Sequence, residues 1–288
     1  MREGLLGEPK ELGALWLYDE RGSQLYEEVT RLPEYYLPRR EAEILRAHSA
    51  DIAGTGARTL IELGSGNTGN TRLLLDALAG TLERFVPVDV SEDALRDGAA
   101  ALAADYPGLS IEPVTGNFER GVDSLPPGLV AFLGSTIGNL YPDARARFFA
   151  RIRSPLLLSL DLVKDPSRLE AAYDDPAGVT ERFARNALDH ANRELGANFE
   201  HAKLEYEARW DPEHEWMDIG FRALAAQTVA VSALERDLHL EAGEWLRIEV
   251  SSKFRRERIE SELAAAGLRL DAWWTDSSGD FAVAMVLP

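Results

Sequence analysis

A short apolar run that halts at paired glycines constrains this chain more than any other feature. Residues 59–63 read Thr-Leu-Ile-Glu-Leu, and Gly64-Ser65-Gly66 follow at once. A helical pattern, TRLLLDALAG, starts at Thr71, and a second apolar run, Phe85-Val86-Pro87-Val88, ends in Asp89. Strand, glycine turn, helix, strand and terminal acid is the order of a nucleotide-binding crossover, with the acid about 20 residues past the glycines. Glycine lets the backbone approach a ligand that a Cβ would hold off. The acid at the strand tip is placed to accept from both hydroxyls of a ribose.

This segment alone leaves three readings open. Gly64, Gly66 and Gly69 spell G-x-G-x-x-G, which suits a nicotinamide dinucleotide. S-adenosylmethionine needs the same turn and the same ribose acid, but no pyrophosphate cradle. A tight strand-to-helix turn without any ligand is the third.

The order of the remaining elements narrows the choice. Strands are expected near 59–63, 85–89, 109–114, 128–133 and 156–161, with helices at about 70–79, 92–104 and 142–152 between them. In SEDALRDGAAALAADYPG, Ser91 is the predicted N-cap and acids fill the first turn. Such alternation predicts an α/β fold, a Rossmann-like parallel sheet with ligands at the carboxyl ends of its strands. After Asp161 the rhythm breaks. Two helical stretches, 166–174 and 176–195, precede alternating segments at 204–210, 215–231 and 244–254 that read as antiparallel strands. A helix at 255–266 then leads into a final strand pair, LRLDAWWTD and DFAVAMVL. A closing antiparallel pair favours a methyltransferase over a dehydrogenase. The first 40 residues are rich in aromatics (Trp16, Tyr18, Tyr26, Tyr35, Tyr36). The expected organisation is a cofactor-binding domain of residues 40–163 and 254–288, with residues 1–39 and 164–253 forming a lid-like, substrate-binding α+β domain.

Composition sets the outer bounds. An apolar fraction of 45% supplies a core, and 28% charged residues indicate a soluble chain. No apolar run approaches the roughly 18 residues of a membrane span, and the N-terminus lacks the apolar core of a signal peptide. There is no cysteine, and the five histidines show no metal-ligand spacing, so neither a thiol nucleophile nor a metal is expected. A net charge of −18 argues against nucleic acid and anionic membranes, whose binding requires clustered Lys and Arg. A cytoplasmic, monomeric protein acting on a small molecule is expected.

Six further segments carry a more specific pattern: LYDERGSQLYEEVTRLPEYY (17–36), FLGSTIGNLYP (132–142), SLDLVKD (159–165), AAYDDPAGVTERFARN (171–186), NRELGANF (192–199) and RIEVSSKF (247–254). Together, and in this order, they resemble the histidine-specific Nα-methyltransferases of ergothioneine biosynthesis, from about residue 9 to the end. The resemblance implies S-adenosylmethionine as methyl donor, L-histidine as substrate, and three methylations of its α-amino group to give the betaine hercynine. It implies substrate contacts at Tyr18, Tyr35, Gly134, Asn139, Tyr173, Glu249 and Ser251, with Tyr35 and Gly134 serving the reacting amine. On the cofactor side it implies Gly64, Ser65, Gly66, Asn70, Asp89, Asn117 and Phe118. The sequence departs from the family pattern at Asn70 (commonly Lys), Asn117 (commonly Asp), Tyr26 (commonly Phe) and Ile219 (where Met occurs). Alternatives within the same fold are α-N-methylation of another amino acid or amine, and cofactor binding without catalysis.

These residue types suit the implied chemistry. Asn139 and Tyr173 offer hydrogen bonds to a carboxylate without adding charge. An imidazole presents N–H donors and, when neutral, one acceptor. Glu249 accepts from one ring nitrogen, and Ser251 donates to or accepts from the other. Their i, i+2 spacing on a strand puts both side chains on one face.

Overall fold

The computed structural model describes residues 2–66, 69–118 and 125–288; Asn67 and Thr68 of the glycine turn lie outside the described residues. Its strands, in chain order, are β1 (Lys10–Glu11), β2 (Thr59–Leu63), β3 (Arg84–Asp89), β4 (Ser110–Ile111), β5 (Val114–Thr115), β6 (Leu129–Phe132), β7 (Leu156–Asp161), β8 (Leu204–Asp211), β9 (Trp216–Ala223), β10 (Gln227–Val231), β11 (Arg236–Leu240), β12 (Trp245–Ser252), β13 (Arg269–Thr275) and β14 (Phe281–Leu287). The chain divides into two compact units, residues 1–35 with 164–252 and residues 36–163 with 253–288.

The unit of residues 36–163 and 253–288 is built on an eight-stranded sheet of order β13-β14-β7-β6-β2-β3-β4, with β5 also paired to β3. From β4 and β5 through β7 the strands are parallel; β14 runs antiparallel to β7 and to β13. Every residue of β2, β6 and β7 is buried. That is why these strands read as continuous Leu, Ile, Val and Phe runs without alternation. β2 lies between β3 and β6, so the strand order switches at its carboxyl end, where the Gly64 turn begins. The sheet's core runs through Ile61, Val86, Phe132, Phe149, Leu158 and Phe254.

One strand differs from expectation. The run predicted at 109–114 is two short strands, both pairing with β3 and separated at Glu112-Pro113. Proline has no N–H to give the ladder, so pairing lapses and resumes beyond it.

The unit of residues 1–35 and 164–252 carries a four-stranded sheet of order β1-β12-β9-β8 and a separate hairpin of β10 and β11. The segment 215–231, read as one alternating run, is divided between these two sheets at 224–226, and β11 was not anticipated. The helix expected at 176–195 begins at Val179. The Asp175 carboxylate accepts from the Val179 and Thr180 backbone N–H groups at 3.0 and 2.8 Å, which fixes the start beyond Pro176. That helix, Val179–Leu195, packs on the helix Glu20–Thr30. Gly22 leaves room for this contact, since a Cβ there would lie 2.9 Å from Asn186 Nδ2 of the longer helix, and also 1.7 Å from the Leu17 carbonyl oxygen of its own preceding turn. Asp19 caps the shorter helix through the Gly22 N–H and also accepts from Asn186 Nδ2, each at 2.7 Å. No helix among the described residues is long and apolar enough to cross a membrane.

Candidate functional site

In the unit of residues 36–163 and 253–288, the glycine turn and the acid of β3 converge. Gly64 has φ +69°, a left-handed conformation that glycine adopts freely. Its N–H and that of Ser65 donate to the Val88 carbonyl at 2.8 and 3.3 Å. The Gly66 N–H donates to Asp89 Oδ2 at 3.0 Å, and a Cβ at Gly66 would stand 3.2 Å from that oxygen. Asp89 Oδ1 accepts from the Ser91 N–H at 3.0 Å. The carboxylate is therefore held at the sheet's carboxyl edge by one backbone donor on each oxygen, leaving further lone pairs for a ligand's hydroxyls. Phe118 packs edge-on against Phe132 with ring centroids 4.9 Å apart, and Asn117 beside it is half-buried.

The segment after β6 adjoins this turn, because β2 and β6 are neighbours. A Cβ on Gly64 would lie 3.9 Å from Thr136 Cγ2. Gly134 and Ser135 are both left-handed, with φ +68° and +57°. For Ser135 this conformation is strained, and such strain persists only where surroundings enforce it. They do: the Asp161 N–H donates to Ser135 Oγ at 2.9 Å, the Gly134 N–H donates to Glu41 Oε1 at 2.8 Å, and buried Arg145 donates to the Leu140 carbonyl at 3.0 Å. Asn139 ends the short 3-10 helix Thr136–Asn139 and is half-buried.

Three acids in this unit were missed by sequence reasoning. Glu62, inside β2, is buried and accepts from Thr71 Oγ1 on both oxygens at 3.0 and 2.8 Å. Burial pushes its carboxyl up to about 8, aided by the nearby charges of Glu41 and Asp89 and opposed by Thr71. Glu41, in the helix Leu37–Ala47, is also buried and accepts from Asn70 Nδ2 at 2.6 Å. Burial raises its carboxyl too. Asn70, expected to face the cofactor, also donates to the Pro38 carbonyl at 3.1 Å. Asp161 ends β7 beneath Ser135, with Tyr36 Oη 2.9 Å from each of its oxygens and Lys253 Nζ at 2.8 Å from one. An acid inside an apolar strand and one on a helix's buried side were the available signals.

The unit of residues 1–35 and 164–252 gathers the aromatic candidates. Tyr18, Tyr26, Tyr35, Tyr173 and Phe183 form a chain of edge-on and tilted ring contacts with centroids 5.6–6.3 Å apart. Burial among Tyr26, Tyr173 and Tyr18 holds the Tyr35 phenol well above the usual tyrosine value, so it stays protonated. Tyr173 Oη is 3.0 Å from Ser251 Oγ, and both residues are buried. Tyr206, not singled out in the sequence, donates to the Tyr173 carbonyl at 2.6 Å. Its own phenol is raised by burial and then by the charges of Asp174 and Glu249.

Glu249 and Ser251 lie on β12, opposite Ile219 and Met217 of β9. A bulge interrupts the ladder between Arg247 and Glu249, and pairing is regular beyond it, so the two share a face. Ser251 is buried and Glu249 half-buried. Asp218, which faces Val250, accepts from Arg247 Nε at 2.8 Å and Trp245 Nε1 at 2.9 Å and fastens the same strand pair. Thus Tyr18, Tyr35, Tyr173, Glu249 and Ser251 belong to one unit. Gly134 and Asn139 belong to the other, with all the cofactor-side candidates.

Comparisons with known proteins bear on the whole chain. The family model described as a histidine-specific, SAM-dependent methyltransferase matches residues 1–288. The histidine N-alpha-methyltransferase of Mycolicibacterium smegmatis is 48% identical over 299 residues, covering 100% of this chain and 93% of that protein. Ergothioneine biosynthesis protein 1 of Neurospora crassa is 33% identical over 285 residues, covering 93% of this chain and 32% of that protein. Among solved structures, the CcbJ methyltransferase of Streptomyces caelestis aligns with a TM-score of 0.51 at 18% identity, covering 94% of this chain and 99% of that one. At that identity the likeness concerns the fold, a Rossmann-like methyltransferase sheet.

Proposed function

This chain belongs to the histidine-specific, S-adenosylmethionine-dependent methyltransferases, and from that premise we propose that it methylates the α-amino group of L-histidine three times, giving hercynine for ergothioneine biosynthesis. The observation that carries the substrate reading is Ser251 hydrogen-bonded to Tyr173, two residues along the same strand face from Glu249, in the unit that holds the tyrosine cluster. A half-buried carboxylate beside a buried hydroxyl discriminates against apolar side chains, which would leave both unpaired.

The glycine turn fits the methyl donor. It is a cradle that a Cβ at Gly66 would crowd, and Asp89 is tied to its floor. Gly64, Ser65, Gly66 and Asp89 would hold the donor, with Asn117 and Phe118 at the next strand end and Asn70 at the start of the following helix. When bound, S-adenosylmethionine supplies an electrophilic methyl group. This chain's contribution is to aim the amine lone pair, since orientation accounts for much of the barrier in such transfers. The Gly134 carbonyl and the neutral Tyr35 phenol accept from the amine and orient it. Tyr35 is not a phenolate base, because burial keeps its proton on. A strong base is not needed: an α-amine with a pKa of about 8 is partly neutral near pH 7. Asn139 and Tyr173 donate to the carboxylate, and Glu249 and Ser251 read the imidazole. We place the reaction in the cytoplasm and its catalyst as a monomer, in keeping with an acidic, cysteine-free chain.

Incubation with L-histidine and S-adenosylmethionine, followed by mass spectrometry, should show three methyl additions on the α-nitrogen. A parallel screen of the other amino acids tests the substrate. Turnover of another amino acid with none of histidine would overturn the reading.

A further inference from the structure

Glu41 touches candidates on both sides of the chemistry, and no motif singled it out. It is 2% exposed, in the helix Leu37–Ala47, whose Ile44 and Leu45 are also buried. Its two oxygens have separate tasks. Oε2 accepts from Asn70 Nδ2 at 2.6 Å, and Oε1 accepts from the Gly134 N–H at 2.8 Å. Asn70 immediately precedes the helix Thr71–Leu78, which follows the glycine turn, and the Pro38 carbonyl grips the same amide nitrogen. Gly134 opens the left-handed pair that begins the segment after β6. One buried carboxylate thus connects the start of the helix after the glycine turn to Gly134, the residue whose carbonyl is assigned to the amine.

We propose that Glu41 is a positioning residue for the methyl transfer, a strut that fixes the cofactor-side Asn70 and the backbone N–H of Gly134 relative to each other; this rests on the roles assigned above. The requirement for a carboxylate follows from its partners. Both are N–H donors, so both oxygens must accept. Glutamine has nearly the same shape but offers one acceptor and one donor. With the Asn70 amide kept in place by the Pro38 carbonyl, one glutamine amide hydrogen meets another N–H donor, and turning Asn70 over to relieve this gives up the bond to Pro38. The Gly134 carbonyl lies on the following peptide, one Cα away, so a Gly134 freed at its N–H shifts that carbonyl away from the amine, and a misplacement of about 1 Å is enough to cost about 100-fold in rate. The Asp161 N–H on Ser135 holds the next residue, so the expected fault is a displaced Gly134 in a folded protein.

The test is a cycle of Glu41→Gln and Asn70→Asp, with each variant's thermal midpoint recorded. It is read on the S-adenosylmethionine dissociation constant by calorimetry and on kcat with histidine. Alone, Glu41→Gln should weaken cofactor binding by about tenfold and lower kcat by about 10–100-fold. Asn70→Asp alone sets two carboxylates face to face and should weaken binding at least as much. Combined, the introduced amide donates to the introduced carboxylate while its carbonyl still accepts from Gly134. In the Asn70→Asp background, therefore, Glu41→Gln should improve both readouts. The sign reversal holds whatever either change does to overall stability, and calorimetry does not require that histidine be the substrate. A wild-type protein that binds the cofactor but leaves histidine unmethylated would sink the substrate reading and leave the strut standing. The strut is overturned if Glu41→Gln changes the dissociation constant by the same factor in both backgrounds.

Discussion

The two units present chemistry in different ways. In the unit of residues 36–163 and 253–288, the candidate surface is largely backbone: the Gly64 and Ser65 N–H groups turned onto Val88, the Gly66 N–H on Asp89, and the left-handed Gly134 peptide. β2 and β7 are buried throughout, and apart from Glu62 within β2 the sheet's acids Asp89 and Asp161 stand at strand ends. In the unit of residues 1–35 and 164–252, the candidates are side-chain tips, namely tyrosine hydroxyls, one serine and one glutamate. Glu249 and Ser251 sit on β12, Tyr26 and Tyr173 on helices, and Tyr18 and Tyr35 in connecting segments. Backbone groups survive most substitutions. Tips do not. The departures noted in the sequence fall on both kinds of surface, Asn70 and Asn117 on the first and Tyr26 and Ile219 on the second.

The contrast breaks down unless side-chain loss in the second unit costs most. Glu249→Ala should lower kcat/KM for histidine by between several-fold and a thousandfold, since it removes a charge-assisted bond of about 1.5–3 kcal/mol and loosens the amine as well. It should also raise the relative rates for phenylalanine and tryptophan. Steady-state kinetics on the three amino acids decide this, and an unchanged preference would mean that β12 does not face the substrate. Asp89→Ala should weaken S-adenosylmethionine binding about tenfold or more, read by calorimetry, while the fold persists. An unaltered dissociation constant would make the acid a strand-end brace for Gly66 and Ser91. Ser251→Ala takes a partner from Tyr173 and should lower kcat/KM for histidine by about three- to tenfold, with cofactor affinity untouched.

A further effect is on stability. The Glu62 carboxyl is raised in the folded chain to about 8 from its ordinary 4.5, so between those values the folded state holds a proton that the unfolded state releases. Stability from this group is full below about pH 4.5 and is lost as pH rises towards 8. Denaturant midpoints measured from pH 5 to 8 should fall, and Glu62→Gln should flatten the slope. Glu41, also raised by burial, keeps part of it.

The same contrast explains what could be read from the chain. The crossover was legible because buried parallel strands leave uninterrupted apolar runs and the turn requires glycine. The break at Pro113 was legible in principle, since its lack of an N–H is written in the residue type. The boundary at Val179 was not, because it depends on where the Asp175 carboxylate finds its donors. Glu249 and Ser251 were legible only as a spacing joined to a resemblance. Tyr206 and Glu41 were hidden: an exposed-looking tyrosine in LEYEARW and an ordinary helical glutamate gain their partners from residues distant in sequence.

The position of β14 sets an order of events during synthesis. Phe281–Leu287 fills an interior place in the sheet, between β7 and β13. β7 leaves the ribosome long before it, with the whole of residues 164–252 emerging in between. Until the final strand arrives, β7 has one bare hydrogen-bonding edge and the nascent sheet ends in an open ladder. The unit of residues 36–163 and 253–288 is thus completed only after the segment bearing Glu249 and Ser251 has been made. A chain stalled or clipped ahead of Phe281 would lose an interior strand and expose a template for pairing with other chains.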